Sequence, residues 1–241
     1  MTERRLVFGS AAQDYAAHRP DYPAAAVEWA LAGAPGRRVL DLAAGTGKLT
    51  ARLLEQDVVA VEPDVEMLGM LRAAFPQVEA RQGTAEEIPL PDTSVDAVLV
   101  GQAVHWFDPE RAWPEIARVL RPGGVFAGLW NCDDAAVDWV RGLHEALAHG
   151  KPVPRGGDAA ELEPGDPFGA VERRTFPFTR QTTTEGLIAT LRTHSWSLIS
   201  TDAEREAAFA RLRAYLATRP ETASGGFAFP LFTLVLRTLR S

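Results

Sequence analysis

The sequence predicts an α/β fold: a mostly parallel sheet with helices on both faces. Three observations carry this. Short apolar runs alternate with helix-patterned segments through the first half of the chain. The first run ends at an acid and a glycine turn, Asp41-Leu42-Ala43-Ala44-Gly45-Thr46-Gly47. The second ends at another acid, Glu62, at roughly the 20-residue offset typical of an acid that binds ribose hydroxyls.

The elements follow in order. A helix is predicted over 23–31, with Asp21 as its cap and Pro23 in the first turn. Residues 38–42 read as a buried strand, and 48–55 as the helix after the glycine turn. A second strand covers 57–61, and a helix capped by Asp64 runs over 64–75. A weaker third strand covers 78–81 and a fourth 95–100. A helix over 109–120 is closed by Pro122-Gly123-Gly124 before a fifth strand at 125–130. Such uniformly apolar strands belong to a parallel sheet buried on both faces. The pattern then changes. Helices are predicted over 135–149, 184–195 and 202–218, a loop over 150–167, and strands over 171–178 and 227–239. Pro230 in the last strand demands an edge position or a bulge.

Composition narrows the class. Of 241 residues, 46% are apolar and 24% charged, near the globular average. Lys plus Arg is 25 and Asp plus Glu 32, giving a net charge of −7 without a basic cluster. That argues against a polynucleotide partner, which needs cationic surface to displace counterions. Cys132 is the lone cysteine, so it forms no internal disulfide and no cysteine-based metal site. The five histidines and the acids show no ligand spacing, so no metal is expected. The first residues lead into no signal-like run, and nothing approaches the roughly 20 apolar residues of a membrane span, so a cytoplasmic protein without membrane contact is expected.

The turn itself permits several nucleotide ligands. Glycines allow close backbone approach, and the carboxyl ends of strands in a doubly wound sheet are where ligands bind. It is not a full dinucleotide fingerprint, because Thr50 stands where the third glycine would be. It is not a P-loop, because Leu49 follows Lys48.

The wider pattern resembles the class I S-adenosylmethionine-dependent methyltransferases. Val39 to Thr50 resembles their first motif. Val61-Glu62-Pro63-Asp64 with Met67 is similar to the second-strand acid block, and Gly83 to Asp92 to the adenine-side block. Arg118 to Gly124 is similar to the turn before the fifth strand. Further segments resemble the UbiE/trans-aconitate methyltransferase-like small-molecule branch: Tyr15, Arg19-Pro20 and Tyr22-Pro23; Gly101-Gln102-Ala103-Val104-His105-Trp106-Phe107-Asp108; Arg192 to Trp196; and Phe229-Pro230. One departure stands out: the family usually has glycine where Ala43 sits.

The resemblance implies a Rossmann-like sandwich with a seven-stranded, mostly parallel sheet, an antiparallel last strand and a helical lid. It implies one domain, with a cap over 1–35, a cofactor-binding core over 36–131, and the lid helices and last two strands over 132–241. It implies methyl transfer from S-adenosylmethionine to a small-molecule acceptor, leaving S-adenosylhomocysteine. O-methylation, of a carboxylate in particular, is the favoured reaction. Asp41, Ala43, Gly45 and Gly47 would hold the methionine portion, and Glu62 with Pro63 the ribose. Met67, Thr84, Ala85 and Glu86 would frame the adenine. Gln102, Ala103, Tyr15 and Arg19 would complete the cofactor site, and His105 and Trp106 would face the reacting methyl. His105 titrates near neutrality and is the candidate base or substrate contact. The post-strand block lacks the Asn/Asp-Pro-Pro-aromatic pattern of DNA and amide methyltransferases. A nicotinamide enzyme would need the missing third glycine and a Tyr-Lys pair. The alternative is a regulatory or non-methylating protein that binds S-adenosylmethionine on the same fold. Oligomeric state is not legible in the sequence.

Overall fold

The computed structural model describes residues 19–148, 162–194, 196–197 and 200–241. Helix α1 (Ala24–Leu31) precedes β1 (Arg38–Leu42), β2 (Asp57–Glu62), α2 (Val65–Ala74), β3 (Glu79–Gln82) and β4 (Val95–Gly101). Then come α3 (Pro109–Val119), β5 (Leu120–Asp133), α4 (Asp138–Ala148), β6 (Glu172–Thr183), α5 (Thr184–Arg192), α6 (Asp202–Ala217) and β7 (Gly226–Leu239). The seven strands form one sheet in the order β3-β2-β1-β4-β5-β7-β6. β1 to β5 pair in parallel, and β7 runs antiparallel to both β5 and β6. The sheet is therefore mostly parallel with an antiparallel last strand.

Both faces are covered, which is why the central strands are apolar throughout. Leu40, Val59, Val98 and Phe126 pack on one face with Ile116 and Val119 of α3. Val39, Ala97, Leu99 and Ala127 pack on the other with Ala26, Val27 and Ala30 of α1. The edge strands read differently. β3 is Glu-Ala-Arg-Gln and largely exposed, and β6 carries charges along its length. Charged edges of this kind discourage pairing with another sheet. Helices α4, α5 and α6 gather around Trp139, Leu143, Leu191, Phe209 and Leu212, and lie over Phe229 and Leu231 of β7.

Several expectations are corrected. The segment 48–55 is not a helix but a series of turns with one 3₁₀ turn, Thr50–Arg52. Leu49 and Leu53 are still buried at i, i+4 spacing, so the apolar periodicity is met by a tighter wind of i→i+3 bonds. Asp21 does not cap α1. Pro23 holds the cap position without a side-chain bond, and Asp21 faces Lys48 and Arg52 instead. Pro122-Gly123-Gly124 lies inside β5, where the register with β4 shifts between Val95 and Ala97. Gly123 has φ +76°, so this irregularity needs a glycine. Pro230 is tolerated because β5 pairs with β7 only from Leu231 onward. A residue's N–H and C=O share one side of a strand, and the Pro230 carbonyl accepts from Asp134 N–H just past the end of β5. The missing proline donor thus faces the place where the neighbouring strand has ended.

Candidate active site

The sheet order reverses between β1 and β4, so a crevice opens beyond their carboxyl ends. The glycine turn stands there. Gly45 and Gly47 have φ +57° and +90°. At Gly47 a Cβ would stand 2.6 Å from the Phe75 ring, so both backbone and packing require glycine. Ala43 adopts φ +57° despite its methyl group, a left-handed conformation that costs roughly 1–2 kcal/mol in a non-glycine residue. Strain of this kind concentrates at functional sites.

Two buried carboxyls flank the turn. Asp41 is the last residue but one of β1, and its Oδ2 accepts from Thr50 Oγ1 at 2.5 Å. Its Oδ1 is buried with no hydrogen-bond partner among the described residues. Burial pushes the Asp41 carboxyl up to about 7, the Thr50 hydrogen bond opposes this, and the Glu62 charge adds to it. Glu62 ends β2. Its Oε2 accepts from Gly45 N–H at 2.7 Å and its Oε1 from Asp64 N–H at 2.9 Å. Burial pushes Glu62 up to about 7 against these two backbone donors. Glu62 thus ties the glycine turn to the start of α2, which Asp64 caps through Glu66 and Met67 N–H.

The other predicted cofactor residues fall around this pair. Met67 is buried, with its sulfur 3.8 Å from where a Gly45 Cβ would stand. Pro63 is half-buried, and its carbonyl accepts from Gln82 Nε2. Thr84 closes a tight turn with Glu87, and Ala85 inside that turn is buried beside Leu42 and Val61. Glu86 Oε1 accepts from Asp108 N–H at 2.9 Å, so this carboxylate braces the start of α3. Tyr15 and Ser195 lie outside the described residues.

After β4 the chain turns sharply. Gln102 has φ +63°, and its Nε2 donates to the Asn131 carbonyl at 3.1 Å. Ala103 is half-buried and begins the 3₁₀ turn Val104–Trp106. His105 is exposed, with its ring centre 4.8 Å from that of Trp106. Desolvation and the nearby Arg19 charge hold the His105 imidazole below its ordinary range, so it is neutral at pH 7. Arg19 reaches across to the lid: Nε donates to Thr193 Oγ1 at 2.9 Å and an Nη to the Thr193 carbonyl at 3.0 Å. Tyr22 is buried in the core, and its hydroxyl would meet a Gly101 Cβ at 2.5 Å. Its ring packs in the core together with Ala26, Val27 and Ala30 of α1. Trp196 packs on Phe209 within the lid.

A small cavity of about 40 Å³ runs from Gln102 under the lid to Arg180, with Arg19 and His194 in its wall. Asn131 fixes its floor. Its Oδ1 accepts from Thr233 Oγ1, and its Nδ2 donates to the carbonyls of Pro20 and Asp21, which ties the cap to β5. Sequence reasoning passed over Asn131 and Arg180, and it gave no contact to Thr50 or Thr193, although both stand in the segments that carry the family resemblance. Among the described residues no group of three or more His, Cys, Asp or Glu could hold a metal, and no helix is long and apolar enough to cross a membrane.

The chemistry at the switch point suits a nucleoside bearing an amino-acid tail. The unpartnered Asp41 Oδ1 is an acceptor for an ammonium. A buried acceptor left unsatisfied costs about 1–3 kcal/mol, and a bound donor would recover that. A carboxylate offers about four lone-pair sites, so Glu62 retains capacity for two hydroxyls beyond its two backbone donors. The Thr46 hydroxyl, also buried without a partner among the described residues, is a donor for a carboxylate.

Known proteins carry the same pattern. Residues 40–128 match the family model described as a methyltransferase domain. An uncharacterised methyltransferase of Mycobacterium tuberculosis is 50% identical over 236 residues, covering 96% of this chain and 95% of that protein. A methyltransferase-like protein of Schizosaccharomyces pombe is 38% identical over 216 residues, covering 86% and 84%. A solved structure from Anaeromyxobacter dehalogenans, presented as a candidate type II methyltransferase, has a TM-score of 0.66 at 29% identity and covers 92% of this chain and 97% of its own. The chain belongs to the methyltransferases. Its fold and switch-point turn make it a class I S-adenosylmethionine-dependent enzyme, with S-adenosylmethionine as its cofactor.

Proposed function

We propose that the acceptor is a small molecule and that the methyl group passes to oxygen, in particular to a carboxylate. The observation that carries this reading is the placement of Arg19. Its charge acts on both His105 and His194, while its guanidinium is clasped to Thr193 of the lid. A fixed cation thus stands between the turn after β4 and the lid, in the wall of the cavity. Guanidinium groups pair with carboxylates in a defined planar geometry. The UbiE/trans-aconitate methyltransferase-like branch, the one-domain organisation of cap, core and lid, and a cytoplasmic setting fit this reading.

The bound cofactor supplies an electrophilic methyl group. Asp41 would hold its ammonium, Glu62 its ribose hydroxyls, and the backbone of Ala43, Gly45 and Gly47 its tail. Met67, Thr84 and Ala85 would frame the adenine. Arg19 would orient the acceptor carboxylate, and Gln102, pinned to Asn131, would fix the wall beside it. Alignment by such fixed groups is worth effective molarities of about 10⁵–10⁸ M. A carboxylate is ionised at neutral pH and needs no base. The neutral His105 would then polarise or contact the acceptor, with Trp106 walling the site.

The test is release of S-adenosylhomocysteine from S-adenosylmethionine across matched panels of carboxylic acids, phenols and amines. Turnover confined to acids, and lost in Arg19→Ala, supports the proposal. Turnover of phenols or amines in preference to acids overturns it.

A further inference from the structure

We propose that His194 binds the acceptor's carboxylate, its imidazole donating a hydrogen bond beside the Arg19 guanidinium. The inference rests on the small-molecule, carboxylate reading above and names a further contact for it.

The pattern of one helix places the ring. Leu187, Thr190, Leu191 and His194 all stand in the wall of the cavity. Their spacing, i, i+3, i+4 and i+7, is one face of a helix. α5 ends at Arg192, and the turn after it carries this face one step further. Thr193 N–H donates to the Thr190 carbonyl, and His194 N–H to the Leu191 carbonyl. Arg19 then clasps Thr193 through its hydroxyl and its carbonyl, so the backbone that presents His194 is held in place. The other members of the stripe are satisfied. Leu187 and Leu191 are buried apolar side chains, and the Thr190 hydroxyl donates to the Gly186 carbonyl and accepts from Arg180. The His194 imidazole takes the next position and makes no hydrogen bond among the described residues. Buried polar groups of native proteins are paired with protein, water or ligand.

The charges around the ring select an anion. Desolvation first, then the charges of Arg19 and His144, hold His194 well below its ordinary range. The ring is therefore neutral at pH 7, with one N–H to donate. Asp133 in the same wall is matched, because His144 Nε2 lies 2.8 Å from its Oδ2. The Asp21 charge acts on Arg180. The two charges that act on His194 itself are both cationic, which favours a carboxylate beside it. A neutral donor also suits the reaction. The acceptor's charge is being lost in the transition state, so a second cation would hold the starting anion more tightly than the transition state. Size agrees with this assignment. A cavity of about 40 Å³ has room for about three waters, and a carboxylate is three heavy atoms. It seats that group and leaves the rest of the acceptor outside. His194, rather than His105, is the imidazole in its wall.

The test uses the full chain with and without S-adenosylhomocysteine, and formate, acetate and formamide as probes matched to the cavity. NMR follows the histidine rings, with His194→Gln, His194→Phe and His105→Gln assigning them. Formate and acetate should shift the His194 ring saturably and raise its pKa, as an adjacent anion does. Formamide, of similar size and uncharged, should bind more weakly. Formate affinity should fall roughly tenfold or more in His194→Phe, which keeps the bulk of the ring. It should recover in part in His194→Gln, which keeps a donor. In turnover of an acid, His194→Phe should raise KM more than it lowers kcat. Unchanged S-adenosylhomocysteine affinity establishes that the variants are folded. Formate binding that leaves the His194 ring unmoved, equal binding of formamide, or no binding of any probe overturns the proposal. Formate held at His194 in a protein that methylates phenols or amines upholds the contact and defeats the O-methylation reading. Failure of S-adenosylhomocysteine to bind the wild type would defeat the cofactor reading, while the formate arm still decides the role of His194.

Discussion

Replacing Asp41 with asparagine should make the protein more stable at pH 8 and a poorer binder of its cofactor. In the folded protein the Asp41 carboxyl titrates near 7, against 3.8 as its ordinary value, chiefly because it is buried. Between pH 4 and 7 the folded chain therefore holds a proton that the unfolded chain has released. Stability falls with rising pH across that window by about 1.36 kcal/mol per unit, and the loss levels off above pH 7. Over three units this approaches about 4 kcal/mol. Glu62 shifts in the same direction and interacts with Asp41, so the two effects are not summed. Asparagine keeps an oxygen for the Thr50 hydroxyl and carries no charge. Its amide would stand where Oδ1 has no partner among the described residues, at a cost of about 1–3 kcal/mol. The net gain at pH 8 is about 1–3 kcal/mol, or a rise in Tm of at least about 2–4 °C for a chain of this size. Urea or thermal unfolding of both proteins at pH 4, 6 and 8 measures it. The gap should open as pH rises and vanish or reverse at pH 4. An asparagine variant no more stable than wild type at pH 8, or a gap that closes with pH, refutes the reasoning.

Other perturbations test the same site. Arg19→Ala removes a charge that adds to the desolvation holding His105 and His194 low, so the pKa of each should rise part of the way in an NMR titration, and KM for the acceptor should rise with it. Ala43→Gly relieves the left-handed alanine, worth roughly 1–2 kcal/mol, less the roughly 0.5–1 kcal/mol that glycine loses in chain entropy. Its Tm should rise slightly, and S-adenosylhomocysteine should bind at least as tightly. His105→Gln distinguishes contact from catalysis: with a carboxylate acceptor kcat should fall by less than about tenfold, whereas loss of a general base would lower it by about 10²–10⁴.

The sequence made the strands and the lid helices of this fold legible and left the contacts between distant segments obscure, for a physical reason. Strands such as Val58–Val61 and Val95–Val100 are covered on both faces, so burial alone writes them as unbroken apolar runs. Asp64 was legible as a cap because the cap interaction is local, spanning two or three residues. The turn after Gly47 was misread because Leu49 and Leu53 satisfy helical spacing in a 3₁₀ wind as well. Thr50 stood out only as a departure from a glycine pattern, yet it is the hydrogen-bond partner of Asp41. Arg180 and Thr193 acquire their places through pairings of distant segments: β6 with β7, and residue 19 with the end of α5. No local pattern encodes those encounters. Glu86 was read as an adenine-side residue, while its carboxylate accepts from Asp108 N–H in a way that spacing does not reveal.

The most direct test of the account is calorimetric titration of S-adenosylhomocysteine into the wild type, Asp41→Asn and Glu62→Ala at pH 8, with NAD as the comparison ligand. Hydrogen bonds to charged groups contribute about 1.5–3 kcal/mol. The account therefore predicts one site in the wild type, affinity lowered roughly ten- to a hundredfold in each folded variant, and no NAD binding. Undiminished affinity in both folded variants, or binding of NAD alone, would contradict the assignment of the switch-point carboxylates to S-adenosylmethionine.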